Sequence, residues 1–296
     1  MTQPDESEIE VGPNDMVVKD WDDLQHELLR NSWNDNLKRY RTNFAFRGVS
    51  DYRYKLPTSL NRLDNPEIER HLIRNFRKYA NPEFERMKDE WHWLALGQHH
   101  GLPTRLLDWT YSPHVALHFA TNETDRYDKH GAIWCLDYVQ AHEMLPQQLR
   151  YLLSQEGSFV FTTELLSRFA ANVEEFDQKS QNQISRDFVL LLEPPSFDAR
   201  IVNQFGLFSM MSSPSLLLHS WLENYPRLYR RLIIPAKLKL HIRDKLDQSN
   251  ITERVLIGGL DGLSLWLRRH YARLGPDYGH APPPDEPEST GTSPPR

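Results

Sequence analysis

Gln98-His99-His100-Gly101-Leu102-Pro103-Thr104-Arg105-Leu106-Leu107-Asp108-Trp109-Thr110 brings paired histidines, a Gly/Pro turn, an arginine, a carboxylate and a tryptophan into one short run. A solvent-facing loop needs no such mixture, and a plain core segment would not tolerate it. Gly101 and Pro103 bound a turn, and Thr104 to Trp109 reads as extended. Ser112-Pro113 then opens a helix in which Val115, Ala116, Phe119 and Ala120 are available for packing. The run therefore reads as one wall of a polar pocket. A second dense point precedes it, Asn43-Phe44-Ala45-Phe46-Arg47-Gly48, a short strand that ends at glycine.

Working outward, Trp21, Leu24, Leu28 and Leu29 recur at helical spacing within residues 16–40. Asn65-Pro66-Glu67 and Asn81-Pro82-Glu83 are helix starts, each with a capping residue, a proline and an acid. Ile68, Leu72, Ile73 and Phe76 form the first buried stripe; Phe84, Met87, Trp91 and Leu94 form the second, running up to Gly97. Ala132 to Asp137 and Phe188 to Glu193 read as strands, the latter apolar on both faces and hence central. Residues 141–185 read as helical and polar. Ile201 to Met211 reads as a strand broken at Gly206, Arg231 to Ile234 as a short strand, and Pro235 to Leu246 as an amphipathic helix. Asp261-Gly262 precedes a final helix with Leu263, Trp266 and Leu267. Strands and helices interleave irregularly, which points to an α+β fold: a mixed or antiparallel sheet core with flanking helices.

The chain of 296 residues suits one large domain, and its 39% hydrophobic and 26% charged content suits a globular one. No run approaches the roughly 18 apolar residues of a membrane span, and the acidic N-terminus lacks a signal-peptide pattern. The single cysteine, Cys135, excludes an internal disulfide framework and reads as a buried strand residue. The expectation is a cytoplasmic protein with no membrane partner. The net charge of -6 lies in the ends: residues 1–15 carry -5 and residues 276–296 carry -3, which leaves the middle near +2. Residues 1–15 are thus expected to be a disordered acidic segment, 16–275 a single domain, and 276–296 a disordered Pro-rich acidic tail.

Arg47, at the end of a strand flanked by Phe44 and Phe46, can fork onto a phosphate or carboxylate, or pair internally with Asp108. Gly48 after it lets a ligand approach the backbone. His99 or His100 can donate to a ligand. Thr104 offers a hydroxyl to a ribose or phosphate, and Arg105 a second anion clamp or a partner that holds the turn rigid. Asp108 can act as a base or orient an arginine. Gln204, in Arg200-Ile201-Val202-Asn203-Gln204-Phe205-Gly206-Leu207-Phe208, can read a ribose. His114 and His118 share one helix face, yet no HExxH or second cysteine accompanies them, and no metal is expected. GxSxG, GxGxxG and GxxxxGK[ST] are absent, which argues against a hydrolase elbow and against Rossmann and P-loop sites. The basic residues from Arg227 to Lys245 read as a solvated helix face or a phosphate-backbone surface.

Taken together, these residues resemble the FRG domain family, whose Phe-Arg-Gly appears as Phe46-Arg47-Gly48. Gln98 to Ala120 resembles its second block, Arg200 to Phe208 its third and Leu260-Asp261-Gly262 its last, a span of roughly residues 20–272. A more distant similarity is to ADP-ribosyltransferases, in which an aromatic-Arg-Gly strand grips NAD. A hydroxyl-bearing strand then leads into a helix, and a later strand bears a catalytic glutamate. Arg47 matches the first feature and Thr104 the second; Gln204 stands where the acid is expected, so Asp108 or Glu193 would have to supply the charge. The resemblance implies NAD or a related nucleotide as ligand and substrate, held by Arg47, Gly48, His99, His100, Thr104 and Arg105. The implied reaction is ADP-ribose transfer or NAD cleavage at Gln204, Asp108 and Glu193, with the target, protein or nucleic acid, left open. The alternatives are a non-catalytic nucleotide- or partner-binding module, or a metal-dependent phosphoesterase built on His99, His100, His114 and His118.

Overall fold

The computed structural model describes residues 9–63, 65–80, 89–184 and 186–272. The elements begin with β1 (Asp15–Val17), α1 (Trp21–Leu29), β2 (Trp33–Asn34), β3 (Arg39–Tyr40), β4 (Phe44–Val49), α2 (Glu69–Tyr79) and α3 (Glu90–His99). They continue with β5 (Leu107–Thr110), α4 (Pro113–Thr121), β6 (Gly131–Asp137), α5 (Tyr138–Glu143), α6 (Gln147–Glu156), β7 (Phe161–Thr162), α7 (Thr163–Phe169) and α8 (Val173–Gln183). The last are β8 (Val189–Glu193), α9 (Ala199–Gln204), β9 (Gly206–Met211), α10 (Leu218–Glu223), β10 (Tyr229–Ile234), α11 (Ala236–Gln248), α12 (Glu253–Leu256) and α13 (Gly259–His270).

Eight strands form one mixed sheet in the order β1-β10-β6-β4-β5-β9-β8-β7, parallel only at its two outer pairs. The α+β expectation therefore holds. The sheet is unevenly knit. β4 joins β6 through six ladder pairs and β5 joins β9 through four, but β4 and β5 share a single pair, Phe46 with Thr110. Beyond Phe46 the two strands part, and the sheet has a seam at its centre.

Alternation along the strands places apolar residues on both faces. Leu190 and Leu192 pack with Trp91, Phe161 and Phe176, whereas Val189 and Leu191 join Leu207, Trp109 and Trp134. On the other half of the sheet, Phe44, Phe46, Ile133 and Leu232 bury against α1, α4 and α11. Cys135 is a buried residue of β6, and burial pushes its thiol up to about 12.

Several segments differ from the sequence reading. Within 16–40 the helix covers only Trp21–Leu29 and is followed by a two-stranded hairpin. Asp15 is not part of a free acidic tail: it opens β1 and takes both arms of Arg231, at 2.6 and 2.5 Å. The Asn81-Pro82-Glu83 start lies outside the described residues, as do residues 1–8 and 273–296; α3 is capped instead by Asp89, which accepts from the His92 amide. Between 141 and 185, four helices and a short strand bury Leu149, Leu153, Leu165, Phe169 and Phe176, so this region is a core layer rather than a polar surface. Arg200 to Gln204 is helical, not extended. Among the basic residues from Arg227 to Lys245, Arg227 and Lys237 are exposed, Arg230, Arg231 and Lys245 are half-buried, and two are internal. Lys239 is buried and donates to the carbonyls of Ser50 and Arg126 (2.6 and 2.8 Å), and burial brings its ammonium down to about 8. Arg243 is fully buried against His118, Asp247 and the Ile251 carbonyl.

His142 on α5 makes the fold sensitive to acid. Its Nδ1 faces the Phe159 carbonyl at 2.7 Å, and its Nε2 accepts the Leu191 amide of β8 at 2.8 Å. Only a neutral ring does both, and burial brings its pKa down to about 4. The folded value lies below the unfolded one of about 6.5. Its stabilisation is therefore complete above pH ~6.5 and lost as pH falls towards 4, at up to about 1.4 kcal/mol per pH unit. Chemical denaturation between pH 7.5 and 4.5 should show a steeper loss for wild type than for His142→Gln, which has no ring to protonate.

Candidate functional site

A cleft of about 790 Å³ opens at the seam, lined by β4, β5, the end of α4, the end of α3 and α9. The two dense points of the sequence face each other across it. Arg47 Nη1 donates to the main-chain carbonyl of Asp108 at 2.6 Å and stands 3.9 Å from the Asp108 carboxylate. Burial lowers the Arg47 guanidinium from its ordinary value; Asp108 opposes this and Arg62 adds to it. Its Nε is buried without a partner.

The turn after α3 shapes the opposite wall. Gly101 adopts φ +81°, a left-handed conformation open to glycine, and the Leu102 amide reaches back to the Gly97 carbonyl at 2.8 Å. The turn presents Gln98, His99 and His100 to the cleft. His99 Nε2 meets Asp198 at 2.7 Å, and Asp198 also caps α9 through the Ile201 amide. Burial works against ionising Asp198, but the Ile201 amide and His99 outweigh it and hold its carboxyl below the usual range. The His100 imidazole is lowered by burial and by His99. The pair thus anchors the helix that carries Arg200 and Gln204 into the cleft.

Arg47, His99, His100, Asp108 and Gln204 are brought together, and Gly48 borders the same space. Gly48 also has a packing role: an added Cβ would lie 1.8 Å from the Ala116 carbonyl oxygen, so glycine there lets α4 seat on β4. Thr104 is not a ligand contact; it is fully buried and its hydroxyl donates to Gln98 Oε1 at 2.6 Å. Arg105 is not an anion clamp. It is buried, with Nε on Glu69 at 2.6 Å and its two terminal nitrogens on Asp177 at 2.5 and 2.9 Å. Glu193 lies outside the cleft lining, where its carboxylate accepts the Tyr111 hydroxyl at 2.7 Å. Gln204 ends a helix rather than occupying a strand, and its Nε2 donates to the Leu256 carbonyl at 2.9 Å.

His99 and His100 meet edge to face in the cleft, but His114 and His118 are engaged elsewhere. His114 meets Gln25, His99 meets Asp198, and His118 is buried against Arg243, with burial bringing it down to about 3. Among the described residues no group of three or more His, Cys, Asp or Glu is arranged to hold a metal ion. The phosphoesterase alternative loses its ligand set.

Arg62, Lys55, Tyr54 and Glu123 also line the cleft and were not singled out from sequence. Arg62 sits in a short turn pinned by Thr58 and Asn61, with no local pattern to mark it. The cleft thus carries Arg47, Lys55, Arg62 and Arg200 against Asp108 and Glu123. Glu123 pairs with Arg126 at 3.6 Å and Lys55 with Glu223 at 3.9 Å; Arg62 and Arg200 have no ion pair among the described residues. No helix among those residues is long and apolar enough to cross a membrane.

Residues 42–129 match the FRG domain. The match takes in β4, the Gln98–Thr110 run and α4, and stops before the Arg200 and Leu260 blocks. No curated protein and no solved structure matches the chain.

Proposed function

The chain carries an FRG domain over residues 42–129, and from that premise we propose that the seam cleft binds a phosphorylated nucleotide, NAD or a close relative. The observation that carries this reading is the surplus of cations in the cleft, where the exposed Arg62 and Arg200 have no ion pair among the described residues and stand on the same lining as Arg47. Guanidinium groups fork onto phosphate oxygens, and a recessed site strengthens that attraction. The ADP-ribosyltransferase-like reading adds chemistry. Cleavage of NAD breaks the bond between the nicotinamide nitrogen and ribose C1′, and the positive charge that develops on the sugar calls for a carboxylate. Asp108 is the carboxylate beside Arg47. Water or an acceptor group then adds to C1′.

A second reading, a binding module without turnover, is favoured by Gln204: the residue aligned with the expected acid is a neutral amide at the end of a helix, and its donor is tied to Leu256. Titration calorimetry with NAD should give binding to wild type and about 10- to 100-fold weaker binding to Arg47→Ala and to Arg200→Ala. Equal affinity in all three proteins, or no heat in any, would remove the anion-cleft reading. Release of nicotinamide that is abolished in Asp108→Asn separates the enzyme from the binding module.

A further inference from the structure

Asp108 is held in a way that specifies more than charge. The buried Thr104 hydroxyl accepts the Leu106 amide at 3.1 Å, so its own proton goes to Gln98 Oε1 at 2.6 Å. That fixes which way the Gln98 amide points, and its Nε2 donates to Asp108 Oδ2 at 2.9 Å. Arg47 meanwhile holds the main-chain carbonyl of the same residue. Asp108 Oδ1 has no hydrogen-bond partner among the described residues, and the side chain is 60% exposed. A carboxylate with one oxygen tethered and the other open therefore stands beside a cation.

These two groups make different demands. The guanidinium takes a phosphate; the carboxylate repels one and accepts hydroxyl protons instead. A bare polyphosphate satisfies the first and offends the second. A sugar phosphate with vicinal hydroxyls satisfies both. Resting on the anion-cleft reading, we infer that the ligand is a nucleoside 5′-phosphate whose ribose 2′,3′-diol donates to Asp108. Gln98 is the positioning residue for that carboxylate, and Thr104 sets the orientation of Gln98.

Calorimetry of the full chain with ADP, 2′,3′-dideoxy-ADP and inorganic pyrophosphate tests this. Wild type should prefer ADP over its dideoxy form by about 10- to 100-fold, because the analogue leaves a fixed acceptor unpaired. Asp108→Asn and Gln98→Ala should shrink that preference to about threefold or less without weakening pyrophosphate binding. Thr104→Ser, which keeps the hydroxyl, should retain the preference, and Thr104→Val should lose it. A merely structural role for Gln98 would weaken all three ligands together. Equal affinity of wild type for ADP and dideoxy-ADP overturns the diol inference while leaving the anion cleft standing. No binding of ADP or pyrophosphate overturns both. A full preference surviving in Gln98→Ala overturns the positioning role.

Discussion

Arg105→Ala is expected to destabilise the protein by about 3–5 kcal/mol. Glu69 is 1% exposed and receives both the main-chain amide and the Nε of Arg105 at 2.8 and 2.6 Å. Asp177 takes the other end of the guanidinium. Burial opposes the charge on Arg105, but the two carboxylates hold its pKa above the ordinary value. Alanine removes the cation and leaves a carboxylate stranded in the core, and this stranding dominates the cost. The double substitution Arg105→Met with Glu69→Leu removes the two fully buried charges, keeps the volume and leaves only the part-exposed Asp177, so it should lose less than Arg105→Ala alone. Urea denaturation of the three proteins reads the difference. A loss below about 1 kcal/mol for Arg105→Ala would contradict the account. Because Arg105 does not line the cleft, ligand affinity in the folded fraction should stay close to wild type.

Gly48→Ala is the second large effect, and its cause is steric. The added methyl would lie 1.8 Å from the Ala116 carbonyl oxygen and 2.7 Å from the Ala120 nitrogen. Both atoms belong to the backbone of α4, which cannot give way as a side-chain tip can. Overpacking of this kind costs 1–3 kcal/mol and occasionally more; with two backbone clashes we expect about 3 kcal/mol or an insoluble product. Gly97→Ala is the informative contrast. Its methyl would meet Leu102 Cδ2 at 2.8 Å, the end of a side chain that can rotate. The helix at that position also gains about 1 kcal/mol from alanine. Thermal melting should rank Gly97→Ala far above Gly48→Ala in stability, and equal melting points would refute the packing explanation.

What the sequence disclosed follows from how local each signal is. β4 and β6 are legible because each is a short continuous apolar run, and α4 because Ser112 and Pro113 mark its start; the structure keeps all three. α9 reads as a strand in the sequence for two local reasons. Ile201 and Val202 are β-branched, and the residue that ends the helix in the left-handed conformation is Phe205 (φ 49°) rather than the Gly206 beside it. Its cap, Asp198, precedes the Arg200–Phe208 run that reads as extended. In the site, Arg47 and Asp108 were legible as a facing pair because each sits among residues that suit a strand. Thr104 and Arg105 were not separable from them, since what buries Arg105 is Glu69 and Asp177, which lie 36 and 72 residues away. Arg62 depends wholly on the tertiary path of its turn.

The seam carries a consequence for solubility. An unpaired strand edge normally lies at the rim of a sheet, where another chain can add to it and aggregation can start. Here the rims are β1 and β7, three and two residues long, which offer little template to a second molecule. The stretch of β4 that β5 leaves unpaired is instead recessed in a cleft bordered by α4 on one side and by α3 and α9 on the other. The protein keeps its open backbone indoors, where an elongated small molecule can reach it and another β-sheet cannot.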